Sequence, residues 1–226
     1  MDVAKVSIAF VGDANVGKTS FVQRIVYQHW DRRVHSTIGV DFQSLVVRFQ
    51  PPDATEGELV KTNQFKFMIW DTAGQERYAQ IILSHFRNKQ YIAILYAIDD
   101  RQSFESVERW FDTASRYAST NTKYVLIGVK ADRERKVTTK EGKGMAERFN
   151  CLFFETSSRK LVENYSTPLE IMKELAKDHW ETLRIKELQY EHDVMAARAG
   201  FITGTFPDGI LPVELQEPPR KKGCSC

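Results

Sequence analysis

The stretch from residue 5 to residue 27 reads KVSIAFV-GDANVG-KTSFVQRIVY and decides the fold. Residues 5–11 form an apolar run of strand length, and residues 17–27 place Phe21, Val22 and Ile25 on one face of a helix. The turn between these segments contains glycines, which give the backbone the freedom for a sharp change of direction. A strand that passes through a glycine turn directly into a helix predicts the first βα unit of an α/β domain.

The same alternation of strand-like and helix-like segments continues through the body of the chain. Strands are expected at 44–49, 64–70, 91–98, 124–129 and 151–155. Helices are expected over 104–117, after the capping box of Thr138 and Glu141, and after the Thr167-Pro168 pair. The pattern predicts an α/β fold with a six-stranded, mostly parallel sheet and helices on both faces.

The last fifty residues differ in character from the body. Residues 169–199 contain neither Pro nor Gly, so a long, extended C-terminal helix is expected, with an apolar face that is well marked only to about Leu183. From Gly200 the chain changes to Gly, Pro and short apolar pieces. We therefore expect a globular domain over 1–178, a helical extension over 179–199 and a flexible tail over 200–226.

Composition excludes several classes of protein. The chain has 226 residues, with 32 Lys and Arg against 30 Asp and Glu. This near-balance argues against nucleic acid as the main partner. No apolar run of about 18 residues is present and the first residues lack a signal-peptide pattern, so neither a transmembrane helix nor secretion is expected. Three cysteines cannot form a disulfide framework, which favours a reducing, cytosolic compartment.

Residues 12–19 (GDANVGKT) match the pattern G-x-x-x-x-G-K-[ST], which is typical of phosphate-binding loops. The glycines let backbone N–H groups point at phosphate oxygens, and the following helix offers the positive end of its dipole. Lys18 supplies a charge for the β- and γ-phosphates, and the Thr19 hydroxyl can ligate Mg²⁺. A glycine turn with a solvated lysine would share the pattern, but the preceding strand and following helix favour the phosphate-binding loop.

A second group of polar residues surrounds the strand expected at 64–70. Asp71, at the end of that strand, can hold Mg²⁺ through a water molecule, opposite Lys18. Gly74 lets its backbone N–H approach the γ-phosphate, and Gln75 is suited to orient water without acting as a strong base. Thr37 lies in the segment STIGVDF, from which its hydroxyl can close over the metal.

These motifs resemble those of the Ras superfamily of small GTPases and, within it, the Rab family. Residues 12–19, Thr37 and 71–75 match the first three nucleotide motifs of the family. The segments IGVDF at 38–42 and KFMIWDTAGQERY at 66–78 resemble those that distinguish Rabs from other branches. The resemblance covers roughly residues 5–176. It implies a P-loop NTPase fold and a monomeric switch that binds GTP, GDP and Mg²⁺ and hydrolyses GTP slowly.

The resemblance also implies roles for individual residues. Thr19 and Thr37 are direct Mg²⁺ ligands, Asp71 is a ligand through water, and Gln75 positions the hydrolytic water. The implied nucleotide contacts are Gly12, Asp13, Ala14, Asn15, Val16, Gly17, Lys18, Thr19, Ser20, Trp30, Thr37, Gly74, Lys130, Asp132, Ser157, Ser158 and Arg159. Trp30 stands where the family usually has a Phe beside the guanine.

The base-recognition motifs depart from the family pattern. The fourth motif, usually N-K-x-D, reads VKAD at 129–132, and the fifth, usually T-S-A-K, reads TSSR at 156–159. Asp132 keeps the carboxylate that accepts from guanine N1–H and the exocyclic amine. Val129 cannot make the bonds of an Asn amide, and the loss of such a group costs about 1–3 kcal/mol. We expect guanine selectivity with weakened affinity and faster exchange; the alternative is that nearby groups compensate.

Protein partners follow from the same resemblance. The implied effector surface consists of Ile38, Phe42, Trp70 and His85, with His85 in place of the usual Tyr or Phe. The other implied partners are an exchange factor, a GTPase-activating protein that supplies an arginine, and a GDP-dissociation inhibitor or escort protein.

The chain ends in Cys224-Ser225-Cys226, which resembles the C-x-C ending to which Rabs attach two geranylgeranyl groups. One lipid chain binds a membrane reversibly, whereas two signals make attachment stable. The cations at 220–222 add attraction to anionic lipid. The ending implies a cytoplasmic protein held peripherally on the cytosolic face of an endomembrane; a chance cysteine pair or a metal site is the alternative.

Three functions compete on the sequence. The first is a Rab-type switch that regulates vesicle traffic by recruiting effectors in its GTP state. The second is a membrane-tethered scaffold with weak or non-cycling nucleotide binding, which Val129 motivates. The third is a P-loop kinase acting on a small substrate, which WDTAGQE at 70–76 and the terminal cysteines disfavour.

Overall fold

A computed structural model of the chain describes residues 3–30, 37, 39–51, 63–73 and 83–198. In these residues six strands form one sheet in the order β2-β3-β1-β4-β5-β6. The strands are β1 Lys5–Val11, β2 Val40–Phe49, β3 Asn63–Thr72, β4 Tyr91–Ala97, β5 Lys123–Val129 and β6 Leu152–Glu155. Every neighbouring pair is parallel except β2 and β3. The predicted fold class is confirmed.

Five helices connect or follow the strands in the described part of the chain. They are α1 Lys18–Tyr27, α2 Arg101–Glu105, α3 Val107–Tyr117, α4 Thr139–Arg148 and α5 Pro168–Arg198. The capping box predicted at Thr138 is present, because its hydroxyl accepts from the Glu141 N–H while the Glu141 carboxylate accepts from the Thr138 N–H. Each of these two hydrogen bonds therefore satisfies an N–H group that the start of the helix would leave unpaired.

Two predicted boundaries were wrong. The helix expected over 104–117 is two helices that meet at Ser106, and Asp100 caps the first by accepting from the Gln102 N–H at 3.1 Å. The apolar spacing continues through the break, so periodicity alone does not reveal it. Strand β2 begins at Val40 rather than at residue 44, because its first residues pair with the end of β3 as far as Thr72.

Helices pack against both faces of the sheet. Successive side chains of a strand point to opposite faces. Ile92 of β4 belongs to a buried cluster with Phe111 of α3 and Ala146 of α4. The neighbouring Tyr91 donates from its hydroxyl to the carbonyl of Leu175 in α5, at 3.3 Å. Adjacent residues of one strand thus contact different helices, which covers the central sheet on both sides.

The chain divides into two compact units, Met1–Lys177 and Asp178–Cys226. The first contains the whole sheet. In the second, the described residues 178–198 belong to α5 and expose several large apolar side chains, among them Ile185, Leu188 and Met195. None of the described helices has the length and apolarity needed to cross a membrane. The predicted tail over 200–226 lies outside the described residues.

Two glycines of α4 provide a matched test of this packing. A Cβ added at Gly142 would lie 2.5 Å from Cζ of Phe153 and 2.7 Å from the Tyr96 hydroxyl oxygen, whereas one added at Gly144 would meet nothing within 4 Å. We expect Gly142→Ala to lower the free energy of unfolding by about 1–3 kcal/mol through overpacking. Gly144→Ala should raise it by about 0.5–1 kcal/mol, since alanine favours the helix. Denaturant unfolding measures both, and an equal effect of the two changes would contradict the packing.

Candidate functional site

Four loops meet at one edge of the sheet. Strands β1, β3, β5 and β6 run parallel, so their carboxyl ends lie on the same side. After β1 the chain forms β2 and β3 on one side of that strand, and then β4, β5 and β6 on its other side. The strand order therefore reverses beside β1. Ligands of open α/β sheets bind in the crevice at such a point. The predicted motif residues of these loops are thereby brought to one place.

The loop from Gly12 to Lys18 is wrapped around a buried ammonium group. The Lys18 Nζ donates to the carbonyls of Gly12 and Asp13, each at 2.8 Å. Gly12 has a φ of 141°, and a Cβ there would lie 2.2 Å from the Leu95 carbonyl oxygen. Burial lowers the pKa of Lys18 to about 8, although the negative charges of Asp71 and Asp13 act in the opposite direction. The loop geometry therefore needs glycine at this position and a cation at its centre.

Helix α1 begins at this loop without a side-chain cap. Gly17 occupies the N-cap position with a φ of 119° and makes no capping hydrogen bond through a side chain. The first N–H groups of a helix have no partner within it and carry partial positive charge. These donors, together with the Lys18 ammonium, are the groups that phosphate oxygens require. The predicted contacts Ala14, Asn15, Val16 and Ser20 all belong to this loop or to the first turn of α1.

Hydroxyl and carboxylate oxygens gather beside the loop. The hydroxyl oxygens of Thr19 and Thr37 lie 2.6 Å apart. Asp71 is 1% exposed, and neither of its carboxylate oxygens has a hydrogen-bond partner among the described residues. Burial raises the pKa of Asp71 to about 6, although the charge of Lys18 favours its ionised form. Oxygen donors of this kind, with a buried carboxylate left unpaired, fit Mg²⁺.

The candidate base pocket lies between the loops that follow β5 and β6. Ser157 donates from its hydroxyl to Asp132 Oδ1 at 2.6 Å, and an Arg159 nitrogen lies 3.8 Å from the other Asp132 oxygen. The same guanidinium group stands 5.6 Å from the ring centroid of Trp30. Lys130 adopts a φ of 63°, and its ammonium lies 3.7 Å from Asp99 Oδ1. Asp132, Arg159 and Trp30 thus form one wall of polar and aromatic groups.

Val129, the last residue of β5, lies between this pocket and the phosphate loop. Its side chain is buried, and its Cγ2 lies 3.7 Å from the point where a Cβ on Gly17 would stand. The Val129 side chain therefore lies close to the phosphate loop at Gly17. A valine side chain offers no hydrogen-bond donor or acceptor to the loop or to a base.

An ion-pair network that the motif analysis missed supports the base pocket. Arg135 donates to both oxygens of Glu155, at 2.7 and 3.1 Å, and to the Tyr165 hydroxyl at 2.8 Å. The Thr139 hydroxyl also donates to Glu155, at 2.8 Å. Glu155 directly precedes the loop at 156–159, whose Thr156 carbonyl accepts from the Ala131 N–H. The network therefore joins the two base-pocket loops. Glu155, a charged residue at the end of the apolar strand LFFE, is the sequence feature that indicates such a partner.

The predicted effector surface is partly described. Phe42 is 48% exposed and contacts Trp70 edge to face, with ring centroids 5.1 Å apart. Lys89, which the sequence did not single out, places its ammonium 4.1 Å from the Trp70 ring centroid. Burial and the charge of Lys89 lower the pKa of His85. The predicted residues Ile38, Gly74, Gln75, Cys224 and Cys226 lie outside the described residues.

Comparison with known proteins agrees with this geometry. Residues 7–177 match the sequence model of the Ras family. The chain is 31% identical to Ras-related protein SEC4 of Candida albicans over 176 residues, which are 77% of this chain and 79% of the relative.

Two further relatives come from a plant and a mammal. The chain is 36% identical to GTP-binding protein YPTM1 of Zea mays over 157 residues, 69% of this chain and 70% of the relative. It is 32% identical to Ras-related protein Rab-13 of Rattus norvegicus over 157 residues, 69% and 72% of the two chains. The chain therefore belongs to the Ras family of small GTPases and, within it, to the Rab branch.

Proposed function

We propose that this chain is a GTP/GDP switch that regulates intracellular membrane traffic by recruiting effector proteins in its GTP-bound state. One observation carries the proposal: a phosphate-binding loop closed around buried Lys18 lies beside an unpaired, buried Asp71 carboxylate and two neighbouring threonine hydroxyls. This combination offers donors to phosphate and oxygen ligands to a hard cation in one crevice.

The residues divide the work on the nucleotide. The loop from Gly12 to Lys18 and the start of α1 hold the β- and γ-phosphates. Thr19 and Thr37 offer their hydroxyls to Mg²⁺, and Asp71 accepts from a water bound to the ion. When bound, Mg²⁺ neutralises charge on the phosphate oxygens. Thr37 and Gly74 make this site sensitive to the γ-phosphate, so the segments 30–42 and 74–87 are the proposed switch elements.

Hydrolysis on this site needs little covalent chemistry from the protein. Phosphoryl transfer depends mostly on positioning and charge stabilisation. We assign Gln75 the role of orienting the attacking water and Gly74 that of a backbone donor to the γ-phosphate. An activating protein supplies the stabilising arginine in trans, which accelerates hydrolysis by about 10³–10⁵-fold.

The variant Gln75→Leu tests the hydrolytic role. We expect single-turnover GTP hydrolysis to slow by at least about tenfold, because leucine cannot orient water. GDP affinity should be unchanged, since the proposed role of Gln75 is to orient the attacking water and not to bind the nucleotide. Gln102→Leu, on the exposed side of α2, is the control and should hydrolyse GTP at the native rate. Equal hydrolysis rates in the native chain and the Gln75 variant would contradict the assignment.

Guanine selectivity rests on Asp132, with Lys130, Trp30 and Arg159 around the base and the Ser157 and Ser158 backbone toward its O6. Arg159 supports this assignment because its guanidinium lies near both the Asp132 carboxylate and the Trp30 ring. The Val129 side chain lies near Gly17 and carries no hydrogen-bond donor or acceptor. We therefore propose that the chain selects guanine but releases GDP faster than a chain with Asn at this position.

The variant Val129→Asn measures how much the absence of the amide speeds GDP release. We expect GDP release to slow by roughly 5- to 150-fold, because a restored amide is worth about 1–3 kcal/mol. Val129→Ala is the matched control, since it shortens the side chain near Gly17 without adding an amide, and its release should be as fast as native or faster. The measurement is the release of a fluorescent GDP derivative under excess nucleotide. Slower release from the native chain than from Val129→Asn would overturn the proposal.

A membrane-tethered scaffold with weak nucleotide binding is the second candidate, and Val129 is the observation that favours it. The nucleotide content of purified full-length chain separates the two. Stoichiometric GDP that leaves faster when Mg²⁺ is chelated supports the switch. Empty protein that also ignores added GTP supports the scaffold.

We further propose a division of labour along the chain. Residues 1–178 carry the switch and act as a monomer, 179–199 form a helical extension, and 200–226 form a tail with a lipid anchor. The anchor holds the protein peripherally on the cytosolic face of an endomembrane. In this cycle an exchange factor, a GTPase-activating protein, and an escort protein or GDP-dissociation inhibitor act on the nucleotide and the anchor. Effectors contact Ile38, Phe42, Trp70 and His85.

Mass spectrometry of the protein from its native cells tests the anchor. We expect the membrane fraction to carry two geranylgeranyl groups, on Cys224 and Cys226, because a single chain binds only reversibly. Cys224→Ser should leave one group and shift part of the protein to the cytosol, and the double change should shift nearly all of it. Cys151→Ser is the control and should leave the distribution as it was. Free thiols at both terminal cysteines in every fraction would refute the anchor.

A further inference from the structure

Asp13 links the phosphate loop to a helix outside the nucleotide motifs. The indole Nε1 of Trp110, in α3, donates to Asp13 Oδ1 at 2.8 Å. The guanidinium group of Arg109 donates to the same oxygen at 3.2 Å. The Asp13 carboxylate is 24% exposed, so a substantial part of it is withdrawn from water and held by these two donors.

The same residue also contacts the centre of the loop. The carbonyl of Asp13 accepts from the Lys18 ammonium at 2.8 Å, while its carboxylate is bound by α3. Asp13 therefore connects Lys18 to α3, since its carbonyl binds the lysine and its carboxylate binds the helix. A carboxylate beside bound phosphates would repel them, and its pairing with Arg109 offsets that negative charge.

Helix α3 is a firm support for this link. Val107, Phe111 and Ala114 are buried in the core cluster, and Trp110 packs against that cluster. Arg109 is more than half exposed, and its guanidinium lies 5.9 Å from the Trp110 ring centroid. Trp110 is thus the fixed end of the link, because the core holds its ring, and Arg109 supplies charge from the surface.

The link gains importance from the other neighbour of the loop. On the β5 side the Val129 side chain lies near Gly17 and can give the phosphate loop no hydrogen bond. We propose that Trp110 and Arg109 are positioning residues for the nucleotide, which act through Asp13 to hold the phosphate loop in its binding conformation. This inference rests on the proposed function, since it concerns retention of the same nucleotide.

A double-mutant cycle on GDP release tests the link in the full-length chain. The variants are Trp110→Phe, which keeps an aromatic ring but removes the indole N–H, Asp13→Ala, and the two together. We expect each single change to speed release of a fluorescent GDP derivative by about three- to tenfold. The double variant should release GDP no faster than the faster single variant, because both changes break one interaction. Trp180→Phe, in the helix of the second unit, is the control and should release GDP at the native rate.

Two further measurements separate positioning from a general loss of stability. Asp13→Asn keeps an oxygen acceptor for Trp110 but loses the charge that pairs with Arg109, so its release rate should lie between those of the native chain and Asp13→Ala. The indole N–H resonance that Trp110→Phe removes from the ¹⁵N NMR spectrum should shift in Asp13→Ala, because its hydrogen bond is lost. The other indole resonances should stay in place.

The outcomes distinguish the inference from the function on which it rests. Native chain that binds no GDP overturns both. Normal GDP binding with release rates unchanged in Trp110→Phe, or with fully additive effects in the double variant, overturns the positioning role alone. A Trp110 indole resonance that Asp13→Ala does not move shows that the hydrogen bond is absent and overturns it as well.

Discussion

The buried ammonium group of Lys18 is the interaction on which the rest of the site depends. Burial of a cation in a protein is unfavourable unless polar groups surround it. Here two carbonyls of the preceding loop accept from the ammonium at 2.8 Å, so the loop has to curl around the lysine. That curl requires the φ of 141° at Gly12, where a side chain would collide with the backbone of Leu95. The same curl leads directly into α1, whose first N–H groups have no partner within the helix.

The Asp71 carboxylate carries the opposite charge in the same crevice. Asp71 is buried without a hydrogen-bond partner in the described residues, and burial raises its pKa. A carboxylate in that condition is strongly stabilised by a cation or by a water molecule bound to one. Folding supplies the partners of Lys18, which the loop carbonyls hold, but leaves both carboxylate oxygens of Asp71 without a partner among the described residues.

Contacts outside the candidate base pocket join the loops of the site. Arg135 and Glu155 join the strand ends from which the two base-pocket loops extend, and Asp13 joins the phosphate loop to α3. Such supports position binding groups without touching the ligand. They show how the chain holds its loops although Val129 lacks a polar side chain. The departure at one motif position therefore has to be judged against the whole set of loop contacts.

The sequence alone determined the fold class, the phosphate loop and most strand positions, because each rests on local pattern. Apolar runs, glycine spacing and the capping box at Thr138 act over a few residues, and the structure confirms the sheet that they predict. Periodicity could not reveal the break at Ser106, since apolar spacing runs through it, nor the early start of β2, which pairing with β3 decides. Tertiary structure alone brought Trp110 to Asp13, Lys89 to Trp70 and Arg135 to Glu155, across separations that no local pattern spans. For Trp110 and Asp13, and for Arg135 and Glu155, the physical reason is that the parallel sheet gathers the carboxyl ends of distant strands at one edge, where side chains from unrelated segments become neighbours.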